Sequence, residues 1–588
     1  MIKKSLSLKE IFETALKNYK DKNYEMTENL CEKILSINSN HFDSLVLLSN
    51  ILAMNNKFSR AKELLVQANG IKPNNLSVLN NLGTACKELN DVNGSIAFYE
   101  KVLKFNPNHT NALYNLGIAF YNLKEIKKAK NFFLKAAEIQ PNYALAFFNL
   151  GNINAELKEY NEAVSNYKKA IEINPKIAGA HNNLGLVFRI LNDYEAAINC
   201  YEKAIKINNN HVGAIHNLAL AFKELGKFKK SIELHEKATR LEPNNLMNYF
   251  YLSELKKDIL DENLKNKIHK FIKSGKSTQS NSAYGNYLLA KYERKNHDYE
   301  KELSYLKSGH HCFFTSREQK FKLGLKYCFE DILQISQGVK VNKTNLKSDK
   351  IIKPIFIVGV PRCGSTLVEK IIGSGKKFLP LGEETTILEN YINSKILEKK
   401  SLVLGDANET KNEVTNLYRE KGLVLEKYDY RFTDKSLNNF FYLEVIKDVY
   451  PNAKIINCKR DVLSSIMSIF QNNITELAWV HDLENIFKYF DNYFDIIDNY
   501  RKVFPNTIYD LDFEKLVNNP EEESKKLMNF CNLDWDKKCL EFYKRKDLIS
   551  KTASNIQIRE AIYKHSLQKY LPYKVFLKKY GETYSWFN

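Results

Sequence analysis

The chain has 588 residues and a formal net charge of +19. Hydrophobic residues make up 44% and charged residues 27%, an ordinary globular mixture that excludes bulk disorder and, at roughly 100–200 residues per domain, leaves room for several domains. Nine cysteines without CxxC spacing argue against a zinc site and a disulfide framework, and no apolar run reaches the ~18 residues of a membrane span.

The N-terminus, MIKKSLSLKEIFETALKNYK, has charge at its start but no apolar core of signal-peptide length. A cytoplasmic location is therefore expected. Residues 351–588 are close to neutral, so the basic excess lies in residues 1–350, spread over many helices. It reads as a solvated basic surface, with a face for acidic ligands as the alternative, and no nucleic-acid partner is expected.

The first half repeats itself. Leu82-Gly83, Leu116-Gly117, Leu150-Gly151 and Leu184-Gly185 stand 34 apart, and Leu218-Ala219 continues the series. Pro73, Pro107, Pro141, Pro175 and Pro243 keep the period, with Asn209 in the missing slot. Small residues recur at Ala129, Ala163 and Ala197, and aromatics at Tyr99, Phe133, Tyr167 and Tyr201. This pattern resembles the tetratricopeptide (TPR) repeat. Each unit is two helices too apolar on one face to fold alone, and stacking buries a continuous core along a concave groove. About seven units are expected over residues 7–245. Asn81, Asn115, Asn149, Asn183 and Asn217 form an unbroken column that resembles the asparagine ladder of O-GlcNAc transferase, which holds peptide backbones. An amide both donates and accepts, which suits that task; the alternative is that Asn-Leu-Gly is simply common in TPR sequences.

Residues 246–350 lose the period but keep helical spacing, as in YLSELKKDIL and YEKELSYLKSG, and read as a helical connector. Then Ile355-Phe356-Ile357-Val358 predicts a buried parallel strand. Gly359-Val360-Pro361-Arg362-Cys363-Gly364-Ser365-Thr366 follows, and an apolar-periodic helix comes next. Strand, glycine loop and helix make a phosphate cradle, because amide N–H groups and the helix dipole favour an anion there. The spacing is that of a P-loop, but Ser365 stands where a nucleotide-triphosphate enzyme needs lysine. Arg362 supplies a cation inside the loop instead.

FIVGVPRCGSTLVEKIIGS resembles the 5′-phosphosulfate loop of sulfotransferases, usually PRSGTT; Cys363 and Ser365 depart from it. Five further blocks follow. Gly382-Glu383-Glu384-Thr385 is similar to the GEET of protein-tyrosine sulfotransferases, which places the catalytic base on Glu384. Phe432-Thr433-Asp434-Lys435 with Asn439 resembles the FTDK block of bacterial TPR-linked sulfotransferases, whose lysine contacts the sulfuryl group; Ser436-Leu437 replaces the usual Met-Pro. Arg460 at a strand end, with Ser468 eight residues on, resembles the 3′-phosphate motif. Thr552-Ala553-Ser554 through Arg559 resembles TASxxQVR. That match implies a leaving-group contact at Ser554 and a nucleotide contact at Lys569. Asp512-Phe513-Glu514-Lys515-Leu516-Val517 resembles YExLV, with Phe513 in place of tyrosine.

The expected architecture is thus an all-α TPR solenoid over 7–245, a connector over 246–350, and an α/β P-loop-like sulfotransferase domain with a parallel sheet over 351–588. The resemblance implies PAPS (3′-phosphoadenosine 5′-phosphosulfate) as co-substrate, PAP as product and no metal. It implies catalytic Glu384, Lys435, Arg362 and Ser554, and a donor site of Arg362, Cys363, Gly364, Ser365, Thr366, Arg460, Ser468 and Lys569. It also implies a homodimer. The acceptor is left open between a protein tyrosine recruited by the array and the hydroxyl of a glycan, lipid or metabolite. A TPR scaffold with a non-catalytic nucleotide domain is the reading from another class. Trp479, Asp482, His481 and Cys458 are expected to be structural, and Glu521-Glu522-Glu523 to favour a helix start.

Overall fold

A computed structural model describes residues 7–342, 352–375, 379–472, 474–545, 556–562 and 569–587. It divides into two compact units, Met1–Leu218 and Ala219–Asn588.

In the first unit, helices of 13 and 14 residues alternate from Leu8–Lys20 to Tyr194–Ile207. The period fixes the turns as well as the helices. Lys22, Asn56, Asn90, Lys124, Lys158 and Asn192, each 34 apart, all take φ near +60°. One left-handed residue ends the first helix of every pair, so that the second can fold back on it. Packing inside each pair follows from two of the sequence columns. A Cβ built on Gly83, Gly117, Gly151 or Gly185 would lie 2.5, 2.6, 2.6 or 2.8 Å from the ring of Tyr99, Phe133, Tyr167 or Tyr201. Those rings are buried. Glycine therefore recurs because an aromatic sixteen residues later fills the space a side chain would need, which is why the helices lie so close.

The second unit begins inside the helix Val212–Glu224, well before the change of sequence texture near residue 350. Its helices Leu246–Leu255, Glu262–Lys273, Gln279–Lys295 and Tyr299–Thr315 share one apolar core with the sheet that follows. The strands are β1 (Lys340–Asn342), β2 (Lys353–Gly359), β3 (Val403–Asp406), β4 (Arg431–Asp434), β5 (Lys454–Lys459) and β6 (Ile508–Asp512). Four of them form a parallel sheet in the order β4-β2-β5-β6, and β1 pairs with β3 in a small second one. Phe356 lies opposite Asp434, and Gly359 opposite Cys458, so the carboxyl ends of β2, β4 and β5 open at one edge. In an open α/β sheet that edge is where ligands bind.

Two buried polar nodes tie the connector to this edge. Glu302 is wholly buried and accepts from Arg294 Nε at 2.6 Å, Gln471 Nε2 at 3.0 Å and Tyr573 OH at 2.5 Å. His310 donates through Nε2 to the Phe470 carbonyl at 2.8 Å. Its Nδ1 lies 3.1 Å from Tyr287 OH and 3.0 Å from His481 Nδ1. Burial holds both imidazoles neutral, lowering His310 to about 4 and His481 to about 3. His481 is structural, as expected. Asp482 caps the helix Leu483–Val503, Trp479 stacks on Tyr489 at 3.8 Å, and Glu521, Glu522 and Glu523 fill the first turn of Pro520–Phe530.

Two outcomes follow from this packing. Gly117→Val should destabilise the chain by about 1–3 kcal/mol by overpacking against Phe133. A denaturant midpoint equal to or above wild type would show that the glycine column is not a packing constraint. The histidines set a pH dependence. The unfolded chain takes up a proton as pH falls through 6.5, whereas folded His310 does so only near 4. The stabilising contribution of a neutral His310 is thus complete above pH 6.5 and lost as pH falls toward 4, by at most about 3 kcal/mol. Urea unfolding at pH 7 and pH 4.5 should show a smaller loss in His310→Gln than in wild type, and equal losses would place the effect elsewhere.

Candidate active site

The loop after β2 is built by two unusual glycines. Gly359 has φ +147° and Gly364 φ +95°, a region open to glycine at little cost. A Cβ on Gly359 would meet the Cys458 carbonyl at 2.8 Å, and one on Gly364 the Phe513 ring at 2.3 Å. Phe513 thus packs beneath the loop, and Arg460 lies over its ring at 4.9 Å. The helix Ser365–Gly373 that follows has no side-chain cap on its first turn. Its leading N–H groups have no partner within the helix, which suits an anion.

Arg362 itself has φ +69°. Its Nε donates to Ser468 Oγ at 3.0 Å, and its carbonyl accepts from Arg460 Nη1 at 3.0 Å. Ser468 is buried on the helix Val462–Phe470, which Asp461 caps. Arg460 Nε is buried with no hydrogen-bond partner among the described residues. Lys569 Nζ donates to Tyr570 OH at 3.3 Å, and Tyr570 lies near enough to Ser468 for that hydroxyl to favour its ionised form. The loop, β5, the following helix and the C-terminal segment therefore bring Arg362, Arg460, Ser468 and Lys569 together. Gly364, Ser365 and Thr366 lie at the helix start.

Cys363 is placed differently from the other loop residues. Its thiol is fully buried and accepts from the Cys458 thiol, while its amide donates to the Val360 carbonyl at 3.3 Å. The Cys458 bond, the Ser365 amide and the charge of Lys435 outweigh burial and lower its pKa. Cys363 thus braces the loop from behind, against β5. Ser554 lies outside the described residues.

The second cluster sits at the end of β4. Glu383 bridges to Lys435 in parallel register, with the Lys435 amide donating to the Gly382 carbonyl at 2.9 Å. Lys435 is 1% exposed, and its ammonium lies 2.8 Å from Glu384 Oε1 and 3.9 Å from Glu383 Oε1. Burial opposes the charge, but Glu384, Glu383 and Glu369 outweigh it and hold the ammonium above its ordinary pKa. Glu384 takes φ +52°, and its side chain is 45% exposed, so a solvent-borne group can reach the carboxylate. Asp434 fixes the frame. It accepts from Tyr418 OH at 2.5 Å, Thr385 Oγ1 at 2.9 Å and the Ser436 amide at 2.9 Å. Ser436 Oγ in turn accepts from the Thr386 amide at 2.8 Å, a bond that a methionine at this position would lack.

Three residues here were not singled out by sequence reasoning. Glu369 and Lys370 are buried on the loop helix, where the sequence shows only charges inside an apolar run. Thr433 Oγ1 donates to Glu369 at 2.9 Å, and Lys370 reaches Glu369 at 3.5 Å and Glu383 at 3.8 Å. Burial raises the Glu369 pKa. Tyr570 is the third; no spacing marked it. Among the described residues no cluster could hold a metal ion.

In the repeats the asparagine column is half-buried and partly self-satisfied. Asn81 donates to Asn50 at 2.9 Å, Asn149 to Tyr114 at 3.2 Å, Asn183 to Asn152 at 2.8 Å, and Asn217 to Asn182 at 3.0 Å. The amides link neighbouring repeats, and each still has hydrogen-bonding capacity to spare.

Comparison with known proteins agrees with both halves. Residues 354–537 match the family model described as Sulfotransferase family. Models described as TPR or tetratricopeptide repeat match stretches between residues 83 and 245. An uncharacterized protein of Aquifex aeolicus (strain VF5) is 32% identical over 38% of this chain and 31% of its own length. Protein-tyrosine sulfotransferase A of Caenorhabditis elegans is 25% identical over 32% of this chain and 51% of its own. This chain therefore spans about a third and about half of those two relatives. Among solved structures, MamA is 28% identical over 28% of this chain and 95% of its own, with a TM-score of 0.26.

Removing the buried cation should be costly. Lys435→Met leaves Glu369, Glu383 and Glu384 without it, and about 3–5 kcal/mol of stability should be lost at neutral pH. The deficit should shrink as pH falls, because protonating Glu369 removes the excess negative charge. A variant as stable as wild type at pH 7 would mean that the carboxylates do not depend on Lys435.

Proposed function

We propose that this chain, which joins TPR repeats to a domain of the sulfotransferase family, is a PAPS-dependent sulfotransferase acting on a hydroxyl of a protein substrate, tyrosine foremost. The observation that carries this reading is the orphaned, buried Nε of Arg460 amid Arg362, Ser468 and Lys569, beside an uncapped helix start. Burying a donor without a partner costs free energy, and an oxyanion restores it.

PAPS fits these residues and supplies an activated sulfuryl group on a phosphate oxygen. Arg362 and the N–H groups at the start of Ser365–Gly373 hold the 5′-phosphosulfate end. Arg460, Ser468 and Lys569 hold the 3′-phosphate, where guanidinium can bind bidentately. Lys435 presents its charge where negative charge develops, in a buried setting in which one ammonium counts for more than in water. Glu384, half exposed and held by Lys435, takes the proton of the acceptor hydroxyl. A phenol, with pKa about 10, gives up that proton more readily than a sugar hydroxyl. The relative from C. elegans is named for the same acceptor. The repeats deliver the substrate, and the spare capacity of Asn81, Asn115, Asn149, Asn183 and Asn217 is suited to an extended peptide backbone.

Calorimetry with PAP should give saturable binding to wild type and a loss of at least about tenfold in Arg460→Ala, which removes charge-assisted hydrogen bonds. No binding by folded wild type would sink the donor assignment. Glu384→Gln should keep PAP affinity while losing about 10²–10⁴-fold in sulfation of tyrosine peptides, and normal turnover by this variant would remove Glu384 as the base.

A further inference from the structure

The donor cluster contains one group that the sulfotransferase reading does not use. Tyr570 is 5% exposed, and its hydroxyl meets the Lys569 ammonium at 3.3 Å, with Ser468 and Arg460 close enough to act on it. These neighbours have a surplus of protons. An ammonium and a guanidinium can only donate. Ser468 Oγ already accepts from Arg362 Nε at 3.0 Å, so its own hydrogen is free for Tyr570. Once the phenol oxygen accepts from Lys569, the phenol proton has no acceptor among the described residues of the cluster. Arg460 Nε is in the same position. Two donors in one cluster of cations, both without an acceptor, suit a multiply charged oxyanion.

The ring is also held still. Tyr573, one turn further on, is buried against Tyr570 with centroids 6.2 Å apart, and its hydroxyl is fixed on Glu302 at 2.5 Å. Glu302 also binds Gln471, just beyond the helix that carries Ser468. One buried carboxylate therefore sets the spacing between Ser468 and Tyr570, so the phenol is pre-positioned without a bound ligand.

We infer that the Tyr570 hydroxyl donates a hydrogen bond to the 3′-phosphate of the donor nucleotide and is the residue by which this site distinguishes 3′-phosphorylated from unphosphorylated adenosine nucleotides. This rests on the PAPS reading above. In the free protein the phenol stands in for the anion, taking the contact of Lys569. When a phosphate enters, that donor turns to its oxygens and the phenol proton joins it. The neighbouring cations already favour the ionised phenol over burial and lower its pKa, which shows how far the cluster seeks negative charge.

The test compares PAP with adenosine 5′-monophosphate, which differ only in the 3′-phosphate, on wild type and Tyr570→Phe. The variant keeps the ring and loses one oxygen. Its PAP affinity should fall about tenfold, as for a lost hydrogen bond to a charged group, while its AMP affinity stays within about twofold. A purely structural role for Tyr570 would lower both alike, and an unchanged PAP-to-AMP ratio overturns the inference. Wild type that binds neither nucleotide removes the donor reading, and the inference with it. If Tyr570→Phe fails to fold, wild type still decides. PAP should produce an ultraviolet difference band of a perturbed tyrosine that AMP does not, and tight PAP binding without such a band counts against the assignment.

Discussion

A lysine ammonium taken out of water stays charged only where carboxylates surround it. Lys435 is in that position, and much of the second unit can be understood as what keeps it there. Glu384, Glu383 and Glu369 provide the counter-charge from two different segments. Lys370 offsets the third carboxylate, so that two buried cations meet three carboxylates, of which Glu384 opens to solvent. Asp434 pins the adjoining strand end, and Ser436 and Thr385 pin the segment that carries Glu384. The left-handed backbone at Glu384 and Thr386 is strain that these bonds hold in place. None of this would be worth its desolvation for stability alone, since an apolar replacement is often as stable. The arrangement makes sense as a charge held ready for a reaction.

On the donor side, among the described residues, the Arg460 Nε and the Tyr570 proton have no acceptor. The loop supporting them is braced by contacts with no polar ligand role. Phe513 lies where Gly364 has no side chain, and Cys363 faces Cys458. These are two of the positions where the sequence departs from the sulfotransferase pattern. Seen in three dimensions they are packing substitutions behind the loop, and they leave its ligand face intact. That weakens the case for a degenerate, non-catalytic domain.

How much of this was legible beforehand differs between the halves. In the repeats, nearly everything was, because a period of 34 residues repeats the same constraint and so displays it. Glycine recurs at 117 because an aromatic recurs at 133. In the second unit, the residues proposed to act on a ligand were legible through short blocks, since Arg362, Glu384, Lys435, Arg460 and Ser468 each sit in a local pattern. The residues that act through others were not. Glu302 is 169 residues from Gln471 and 271 from Tyr573, and no local spacing can announce such a meeting. Tyr570 is adjacent to a residue that was identified, yet a tyrosine among 34 carries no mark until its neighbours are known to be donors.

That difference bears on what the connector is. By sequence, residues 246–350 are what remains between two recognisable parts. By packing, Leu246, Phe250, Tyr287, Leu306 and Phe313 belong to the same apolar core as β2 and β5. His310 and Glu302 end on the helix that carries Ser468 and on the segment that carries Tyr570, and Arg559, beyond the family match, donates to the Glu224 carbonyl at 2.8 Å. Gly226, with φ +72°, is where that guanidinium fits, since a Cβ there would lie 2.5 Å from it. The helices from Ala219 onward are therefore part of the machinery that holds the donor cluster. If the proposed donor site is right, a substitution at the Glu302 node should register first as altered nucleotide selectivity, because that node links the segments carrying Ser468 and Tyr570.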